Sequence, residues 1–482
     1  MDADTPHRVR PSFWRLGTRL LVGASSLLAV ATSSAQDRPA RPPNIIFLLT
    51  DDQRWDTLGC YGNNIVHTPH IDSLARSGVT FDRAFVTSSI CAPNRACILT
   101  GQYAARHEMW EFDRELSREQ LANTYPAILR NTGGYRTGFI GKYGVGKPPG
   151  SGFFDFNKGF PGQGSFLLDR GSETVHLTRV MAEQAEEFIA GCSADQPFHL
   201  SISFKAPHVQ DSSSVKSNQF PYDPDPAIAN LYEDVEIPPP VTASQDYFER
   251  WPDFIKHSEN RARWAVRYWS PRRTQESLKG YYRLISGVDA AVGRIVAQLK
   301  KSGFDDNTVI LFTSDHGQYL GDYGFAGKWY PHDVSIRVPL IVFDPRLPEH
   351  RRGARTKDFV LSIDIGPTIL DLADVDVPDV MQGRSFAPVV RGETSEDWRK
   401  EFYYEHYFVP DPSWNMFIPR NEGIRTAHWK YIQYIDSDPL FEELYNLDRD
   451  PLETTNLAGV QAQTALIAEF RKKLIEMRKA AR

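Results

Sequence analysis

Short apolar runs separated by longer polar and amphipathic stretches dominate the pattern of this chain. Five of these runs have the length and composition of buried strands, and they cover residues 45–49, 137–140, 198–204, 309–312 and 340–343. Nearly continuous apolar character, without alternation, is typical of parallel strands that are covered on both faces. The pattern therefore predicts five buried parallel strands.

Helical periodicity fills the stretches between these runs. From Leu284 to Leu299 the apolar residues recur every three or four positions, and Gly303 follows as a stop signal. Strands that alternate with helices are typical of a sheet covered by helices on both faces. The pattern predicts an α/β fold in which helices sandwich a large, mostly parallel central sheet.

The stretch 210–273 breaks this alternation, since it is rich in proline, tryptophan, tyrosine and charge. This composition predicts an insertion near the active edge of the sheet. Three of its aromatic side chains are candidates for stacking on a ligand ring, namely Trp251, Trp264 and Trp269. Its arginines either bind a polyanionic ligand or form a solvated helical face, and they are Arg261, Arg263, Arg267, Arg272 and Arg273.

The pattern changes again after residue 398. Aromatic strand patterns at 402–408 and 429–434 precede a charged helical pattern at 464–479. We therefore expect a catalytic domain over 36–398, followed by a smaller C-terminal α+β subdomain over 399–482 that carries a short antiparallel sheet.

Residues 1–35 have the features of a secretory signal peptide. A flank with four arginines precedes a short apolar stretch, and Ser33 and Ala35 stand at the −3 and −1 positions of a cleavage site before Gln36. A membrane anchor is the alternative, but the apolar stretch is well short of the roughly 20 residues that a spanning helix needs. The expected protein is secreted or periplasmic, without a stable membrane anchor.

Composition and charge narrow the function further. The chain has 482 residues and a net charge of −6, which disfavours general binding of nucleic acid. An anionic substrate must therefore be captured by local positive charge. The four cysteines, Cys60, Cys91, Cys97 and Cys192, are too few for a disulfide scaffold and leave the pairing of any single bridge open.

Charged side chains follow four of the five predicted strands. In chain order they are Asp51 and Asp52, Lys142, Lys205 and His208, and Asp315 and His316. Ligands of open α/β sheets bind outside the carboxyl ends of the strands, so these side chains are expected at one edge. Carboxylate oxygens suit Ca²⁺ or Mg²⁺, which predicts a metal site there. We expect Lys205 to be a neighbour of this site and not a ligand.

A cysteine motif supplies the candidate nucleophile. The segment 91–101 reads Cys-Ala-Pro-Asn-Arg-Ala-Cys-Ile-Leu-Thr-Gly. Pro93 suits the first turn of a helix, which places Cys91 at a helix N-terminus that favours an anion. Arg95, one turn later, can direct a charged donor to the same point.

This segment resembles the signature of the formylglycine-dependent (type I, arylsulfatase-like) sulfatases of the alkaline phosphatase superfamily, Cys-x-Pro-x-Arg with a Leu-Thr-Gly ending. The resemblance runs in order from about residue 44 to residue 457. The other matching segments are 44–62, 141–142, 205–208, 313–317, 327–329 with 335–339, and 443–456.

The resemblance implies that a separate maturase oxidises Cys91 to formylglycine, an aldehyde that hydrates to a gem-diol. It implies a divalent cation, with Ca²⁺ expected and Mg²⁺ possible. The implied metal ligands are Asp51, Asp52, Cys91, Asp315 and His316. The implied catalytic and sulfate-binding side chains are Arg95, Lys142, His208 and Lys328. Of these, His208 is the candidate general acid towards the leaving oxygen and Lys328 is its rival.

Two positions depart from the family pattern. Asn94 stands where serine is commoner, and Gly144 stands where the family often has a histidine after the lysine that corresponds to Lys142. Either another residue takes the place of that histidine, with His107 and His176 as candidates, or water serves instead.

The expected activity is hydrolysis of sulfate monoesters, on a sulfated carbohydrate because of the export signal and the aromatic insertion. One alternative is a phosphodiesterase or phosphonate monoester hydrolase of the same superfamily. The other is a non-catalytic carbohydrate-binding homologue.

Overall fold

One large sheet and four small ones make up the strands of the computed structural model, which describes residues 41–150, 152–210 and 222–482. In chain order the strands are β1 (Asn44–Thr50), β2 (Val79–Phe81), β3 (Ala84–Phe85), β4 (Arg136–Lys142), β5 (Phe156–Phe160), β6 (Leu167–Asp169), β7 (Thr174–His176), β8 (Phe198–Ser203), β9 (Thr308–Ser314), β10 (Tyr319–Leu320), β11 (Ala326–Gly327), β12 (Arg337–Val338), β13 (Leu340–Phe343), β14 (Ala354–Thr356), β15 (Val360–Leu361), β16 (Glu401–His406), β17 (Asn421–Thr426), β18 (Trp429–Tyr434) and β19 (Phe441–Asn446). The α-helices are α1 (Pro69–Ser77), α2 (Cys91–Thr100), α3 (Ala104–His107), α4 (Arg118–Ala122), α5 (Tyr125–Asn131), α6 (Leu177–Ala190), α7 (Gln245–Glu249), α8 (Asp253–Lys256), α9 (Glu259–Arg267), α10 (Pro271–Ser302), α11 (Asp333–Ile336), α12 (Ile365–Leu372), α13 (Ala387–Arg391) and α14 (Thr464–Ala481).

The large sheet has the strand order β14-β2-β13-β9-β1-β8-β4-β5. Its centre is parallel, because β1 pairs in parallel with β8 and β9, and β4 pairs in parallel with β8. Successive side chains of β1 enter opposite cores, with Ile45 and Phe47 in one and Ile46 and Leu48 in the other. This burial on both faces explains the continuous apolar pattern of the strand. Four of the five predicted parallel strands are thus confirmed.

The fifth predicted strand, β13, runs antiparallel to β9, so the parallel assignment was wrong for it. A parallel neighbour needs a crossover that carries the chain back to the opposite edge of the sheet. Here the chain between Ser314 and Leu340 contains only short elements, namely β10, β11, α11 and β12. The chain therefore re-enters the sheet from the edge where β9 ends and runs back beside it.

Helices cover both faces of the large sheet. On one face α2, α5 and α12 contribute Ile98, Leu129 and Ile369 to the core, and on the other face α1, α6 and α10 contribute their own apolar side chains. The helix predicted at 284–299 is part of α10 and ends at Gly303, whose φ of +70° is the left-handed conformation that glycine adopts without strain.

Two peripheral regions reach the carboxyl edge of β1, β4, β8 and β9. The described part of the segment 210–273 contains helices and no strand, and Asn260 of α9 donates a hydrogen bond to the carbonyl of Lys328 at 2.9 Å. The C-terminal strands β16–β19 form an antiparallel sheet in sequential order. From this sheet Tyr404 donates to the carbonyl of Trp329 at 2.8 Å and accepts from the backbone of Ser89 at 3.1 Å.

Residues Pro42–Arg482 form one compact unit. The predicted signal peptide, residues 1–35, lies outside the described residues. Among the helices that the structure describes, none is both long and apolar enough to cross a membrane.

Candidate active site

Cys91 is the first residue of α2, as the motif predicts. Ile90 precedes the helix in an extended conformation, and Pro93 stands in the first turn, where its missing N–H costs nothing. The whole helix is buried, and the side chain of Ser89 fixes its entry by donating to the carbonyl of Ser335 at 2.9 Å. The free N–H groups of the first turn favour an anion beside residue 91.

The Cys91 thiol is buried and lies among charged side chains. Its Sγ is 3.1 Å from Lys328 Nζ, 3.4 Å from His316 Nε2 and 3.5 Å from Asp51 Oδ1. Burial raises the pKa of Cys91 to about 12, and the carboxylate of Asp51 acts in the same direction. An unmodified thiol is therefore protonated at neutral pH, which makes it a poor nucleophile.

Four of the predicted metal ligands share one cluster. Asp51, Asp52, Cys91 and His316 each offer a donor atom, and these atoms lie within 4.8 Å of one another. Asp315 lies beside the cluster, where its Oδ1 is 3.4 Å from His316 Nε2 and accepts from the backbone of Asp52 at 3.2 Å. All five predicted ligands thus converge, although they come from three distant segments of the chain.

The backbone at Asp52 adopts a φ of +66°, which residues other than glycine adopt rarely. Tyr281 holds this conformation by donating a hydrogen bond from its hydroxyl to the Asp52 carbonyl at 2.7 Å. Such conformations cluster at functional sites, because the surrounding structure must stabilise them.

Three buried cations neutralise the three carboxylates. The pairs are Lys142 with Asp51, Lys328 with Asp52 at 2.6 Å, and Arg95 with Asp315 at 2.9 Å. Burial acts to raise the pKa of Asp51 and of Asp52, but nearby positive charge outweighs burial and lowers both, led by Lys142 for Asp51 and by His208 for Asp52. Both carboxylates are therefore ionised at neutral pH.

This donor set fits a hard divalent cation. Carboxylate oxygens are the ligands that Ca²⁺ and Mg²⁺ prefer. Gln53, directly after Asp52, is fully buried, and neither atom of its amide has a hydrogen-bond partner among the described residues. Its amide oxygen is a further hard donor, on the residue that follows Asp52 in the chain. Because the three carboxylates and three cations balance, a divalent cation would leave the cluster positive and complementary to an anionic ester.

His208 is placed beside the same cluster. Its Nε2 is 3.6 Å from Asp52 Oδ2, and its Nδ1 is 2.7 Å from the Val209 carbonyl. Because Nδ1 donates to that carbonyl, a neutral His208 carries its lone pair on Nε2, towards the site. Lys205 contacts the Gly164 carbonyl at 2.8 Å and the ring of Phe166 at 4.1 Å.

The side chain of Arg95 leaves no room for a Cβ at position 144, which explains the glycine there. Gly144 has a φ of +72°, and a Cβ built there would lie 2.5 Å from Arg95 Cδ. A histidine at this position would displace the guanidinium. The two candidate replacements are engaged elsewhere, since His107 lies 3.3 Å from Cys97 Sγ and His176 stacks on Phe166. The imidazoles that the structure places at the cluster are His208 and His316.

The sequence predicts no role for two residues that the structure places in the site. Asn94 donates from its side chain to the carbonyl of Asp315, and the hydroxyl of Ser203 accepts from Arg95. Ser203 is the last residue of β8, so the rule that ligands bind at the carboxyl ends of strands could have found it. No sequence pattern could have predicted the contact that Asn94 makes. All four cysteines are unpaired thiols.

Comparisons with known proteins identify relatives of this chain. The sulfatase family model matches residues 43–375, and the model described as N-sulphoglucosamine sulphohydrolase, C-terminal, matches residues 321–480. The N-acetylglucosamine-6-O-sulfatase of Bacteroides thetaiotaomicron is 29% identical over 95% of this chain and 89% of its own.

Two solved structures have the same fold. One is a complex with its substrate D-glucosamine-2-N,6-O-disulfate, which is 25% identical with a TM-score of 0.77 and covers 92% of this chain and 98% of that one. The other is a phosphonate monoester hydrolase from Silicibacter pomeroyi, 22% identical with a TM-score of 0.75 over 91% and 96% of the two chains.

The predicted fold class is confirmed, with a large mostly parallel sheet between helices and a small C-terminal antiparallel sheet. Because the family model covers most of the chain and the cysteine motif stands in its matched region, this protein belongs to the sulfatase family of the alkaline phosphatase superfamily, the sulfuric ester hydrolases.

Proposed function

We propose that this protein is an exported sulfatase that hydrolyses a sulfate monoester of a sulfated carbohydrate. We further propose that a maturase converts Cys91 to formylglycine and that the cation is Ca²⁺. The observation that carries the proposal is the buried Cys91 at a helix N-terminus, in contact with Lys328, His316 and Asp51. Export rests on the signal-peptide pattern of residues 1–35.

The cations of the cluster suit the binding of a sulfate group. Lys328 Nζ and the guanidinium of Arg95 belong to side chains that are at most 3% exposed, so their attraction to an anion is little screened by water. Lys142 adds a third cation beside Asp51. In the proposed reaction they hold the non-bridging oxygens, over which the negative charge of the transferring group is spread, and so keep it in line for attack.

Hydrolysis also needs a nucleophile and a proton for the leaving oxygen. When present, hydrated formylglycine supplies the attacking hydroxyl, and the cation neutralises charge on sulfate oxygen. His208, protonated on both ring nitrogens and oriented through Nδ1 by the Val209 carbonyl, is the proposed donor of a proton to the leaving alkoxide from Nε2. Overall, water and the ester give the alcohol, sulfate and one proton.

A glucosamine sulfated at O6 is the first substrate to test. The curated relatives include N-acetylglucosamine-6-sulfatases from Bacteroides thetaiotaomicron and Homo sapiens, and the solved complex contains a glucosamine disulfate. Of the predicted stacking residues, Trp251 is buried in an aromatic core, which removes it as a platform, whereas Trp269 is 60% exposed.

Substrate preference tests the proposed activity. We expect kcat/KM for a 6-O-sulfated glucosamine to exceed that for an aryl sulfate by at least about tenfold, because binding of the sugar lowers the barrier at the ester. The assay compares these two substrates with an aryl phosphodiester and a phenylphosphonate monoester. Faster turnover of either phosphorus ester would favour the phosphodiesterase or phosphonate hydrolase alternative. Binding of the sugar without turnover by matured protein would favour the non-catalytic one.

Metal removal tests the proposed cation. Chelation should abolish activity, and Ca²⁺ should restore it, because Ca²⁺ accepts carboxylate oxygens at flexible distances whereas Mg²⁺ demands near-ideal octahedral geometry. Ca²⁺ at about 100 times its Kd should also stabilise the fold by about 2.7 kcal/mol, a shift that thermal unfolding detects. Full restoration by Mg²⁺ alone would contradict the assignment of Ca²⁺.

A further inference from the structure

A cleft of about 400 Å³ lies where the outer strands of the large sheet meet the C-terminal sheet. Ligand pockets typically have volumes of about 300–1,000 Å³, so this cleft has room for more than a single ion. Lys357 and Asp448, two of the residues that line it, are exposed, which leaves it open to solvent. The lining contains four cations, and we call this feature the basic cleft; the cations are Arg83, Arg337, Lys357 and Arg425.

Each carboxylate of the basic cleft already has a partner. The contacts are those of Asp82 with Arg355, of Asp333 with Lys430 at 2.6 Å and with Arg425 at 3.3 Å, and of Asp448 with His428 at 2.8 Å. Arg83, Arg337 and Lys357 differ, since within the described residues their side chains form no ion pair and no hydrogen bond. The chain as a whole has a net charge of −6, so the surplus of positive charge in this cleft is local.

Aromatic rings hold the arginines of the basic cleft in place. Cζ of Arg337 lies 3.7 Å from the centre of the Trp55 ring, and Cζ of Arg83 lies 5.3 Å from the centre of the Phe359 ring. Arg425 lies over the same Phe359 ring at 5.9 Å. A guanidinium on an aromatic face keeps its N–H groups available to an acceptor in its own plane. The donors of Arg83 and Arg337 are thus ordered before any ligand binds.

The electrostatics of the basic cleft favour an anion. Burial lowers the pKa of Arg83, and the positive charge of Arg425 acts in the same direction. Burial also lowers the pKa of Arg337. The fold therefore destabilises the charged forms of both side chains, and a bound anion would relieve this cost. A planar guanidinium matches the oxygens of a sulfate group, with which it forms two parallel hydrogen bonds.

The basic cleft lies at the edge of the large sheet that carries the active site. Strand β13 is antiparallel to β9, and β2 is antiparallel to β13, so β2 runs in the direction of β9. Strand β14 is parallel to β2. Arg83 and Lys357, which come after β2 and β14, therefore leave the sheet at the edge where Asp315 follows β9. Because β2 is two strands away from β9, it lies about 10 Å further along this edge.

We propose that the basic cleft binds a further sulfate group of a sulfated saccharide chain, away from the ester that is hydrolysed. Arg83, Arg337 and Lys357 donate to the sulfate oxygens, and apolar side chains of the lining, which include Leu447 and Pro451, contact the sugar ring that carries the group. This inference rests on the proposed carbohydrate sulfatase activity. It adds that the enzyme prefers chains with several sulfate groups to single sulfated sugars.

Calorimetric titration at fixed ionic strength tests the basic cleft, with a heparin hexasaccharide as the multiply sulfated chain and Cys91→Ser protein as the non-hydrolysing host. We expect Arg83→Met to raise the Kd by about 10- to 100-fold, because charge-assisted hydrogen bonds are lost. Lys357→Met changes an exposed side chain that folding does not need, and it should raise the Kd by about 3- to 10-fold. In matured protein both variants should change kcat/KM for 4-nitrophenyl sulfate by less than about threefold, because this substrate occupies the catalytic site alone.

Arg130→Met is the matched control. Arg130 pairs with Asp155 at 3.1 Å, and Asp155 directly precedes β5, the strand at the opposite end of the large sheet from β14. This substitution removes the same charge as Arg83→Met but should leave the Kd of the hexasaccharide unchanged. An equal rise in Kd for the two variants would show general attraction of a polyanion and would overturn the proposed site.

A hexasaccharide Kd that is the same in the host protein and in both cleft variants would also overturn it. Titration with sodium sulfate separates the saccharide from the free ion. If free sulfate binds as tightly as the hexasaccharide and Arg83→Met weakens both equally, the cleft takes the ion and the saccharide assignment is wrong. If matured wild-type protein cleaves no sulfated glucosamine while Arg83→Met still weakens the hexasaccharide, the proposed activity is overturned and the cleft stands as a binding site for sulfated saccharide.

Discussion

Replacing Cys91 with serine should lower kcat/KM by at least about 1,000-fold, because it removes the proposed nucleophile and leaves only binding and charge stabilisation. The substitution is nearly isosteric, so the contacts of residue 91 with Lys328 and Asp51 can be kept. The variant should therefore fold and bind substrate while it fails to turn it over. Steady-state kinetics on an aryl sulfate and on a sulfated glucosamine measure the loss.

Mass spectrometry separates the two forms of residue 91. In wild-type protein made together with a formylglycine-generating enzyme, the peptide that contains residue 91 should be lighter than the thiol form by about 18 Da. The buried thiol has its pKa raised to about 12, so without this conversion the site would hold a protonated cysteine. Cys97 is the internal control, since it is buried six residues later and should keep its thiol mass.

Activity that persists in Cys91→Ser would show that residue 91 is not the nucleophile. An unmodified Cys91 in fully active wild-type protein would show that the thiol itself reacts, despite its burial and raised pKa. Either result would remove the formylglycine proposal, while the membership in the sulfatase family would stand.

Much of the fold is readable from the sequence because the central strands are buried on both faces. In β1, Ile45, Ile46 and Phe47 are all inside, which produces an unbroken apolar run. The direction of β13 could not be predicted, since a buried apolar strand has the same composition whether it runs parallel or antiparallel to its neighbour. Only the path of the chain from Ser314 to Leu340, which stays at one edge, decides it.

Residues of the candidate site could be predicted from the sequence where they directly follow a strand. Asp52 and Asp315 come after β1 and β9, which are adjacent in the sheet, so their approach follows from the topology. The pairing of the three cations with particular carboxylates depends on side-chain directions that no sequence pattern encodes. Gly144 is an example. The reason for a glycine at this position is the side chain of Arg95, which occupies the space that a Cβ would need.

Arg267 shows a further limit of the sequence. The arginine series of the segment 210–273 fitted both a sugar-binding role and a solvated helical face. The structure separates its members, because Arg272 is exposed and paired whereas Arg267 is buried and its NH1 has no hydrogen-bond partner among the described residues. Spacing alone could not distinguish them, since burial of the last turn of α9 depends on its packing against distant strands.

Substitution of Lys328 should have the second largest effect on activity, because this lysine is part of the charge balance of the cluster. Its Nζ contacts both Asp52 at 2.6 Å and Cys91 Sγ at 3.1 Å, so one side chain links a carboxylate to the proposed nucleophile. We expect Lys328→Met to lower kcat by about 100- to 1,000-fold, the usual cost of losing one preorganised donor to developing charge.

The same substitution should lower the free energy of unfolding by about 3 kcal/mol, because it leaves the buried Asp52 carboxylate without its nearest cation. His316 and His208 remain at 3.2 and 3.6 Å from Asp52, which keeps the loss at the lower end of the usual range. Ca²⁺ should reduce the loss by supplying positive charge to the same carboxylate. Urea unfolding with chelator and with Ca²⁺ measures both effects.

Lys430→Met is the matched control for this experiment. Lys430 is an equally buried lysine that pairs with Asp333 at 2.6 Å and with Glu453, away from Cys91. It should destabilise the fold by a similar amount while kcat changes by less than about threefold, which separates loss of stability from loss of catalysis. If the two variants lose activity in equal measure, Lys328 acts through stability alone and has no direct role in holding the sulfate.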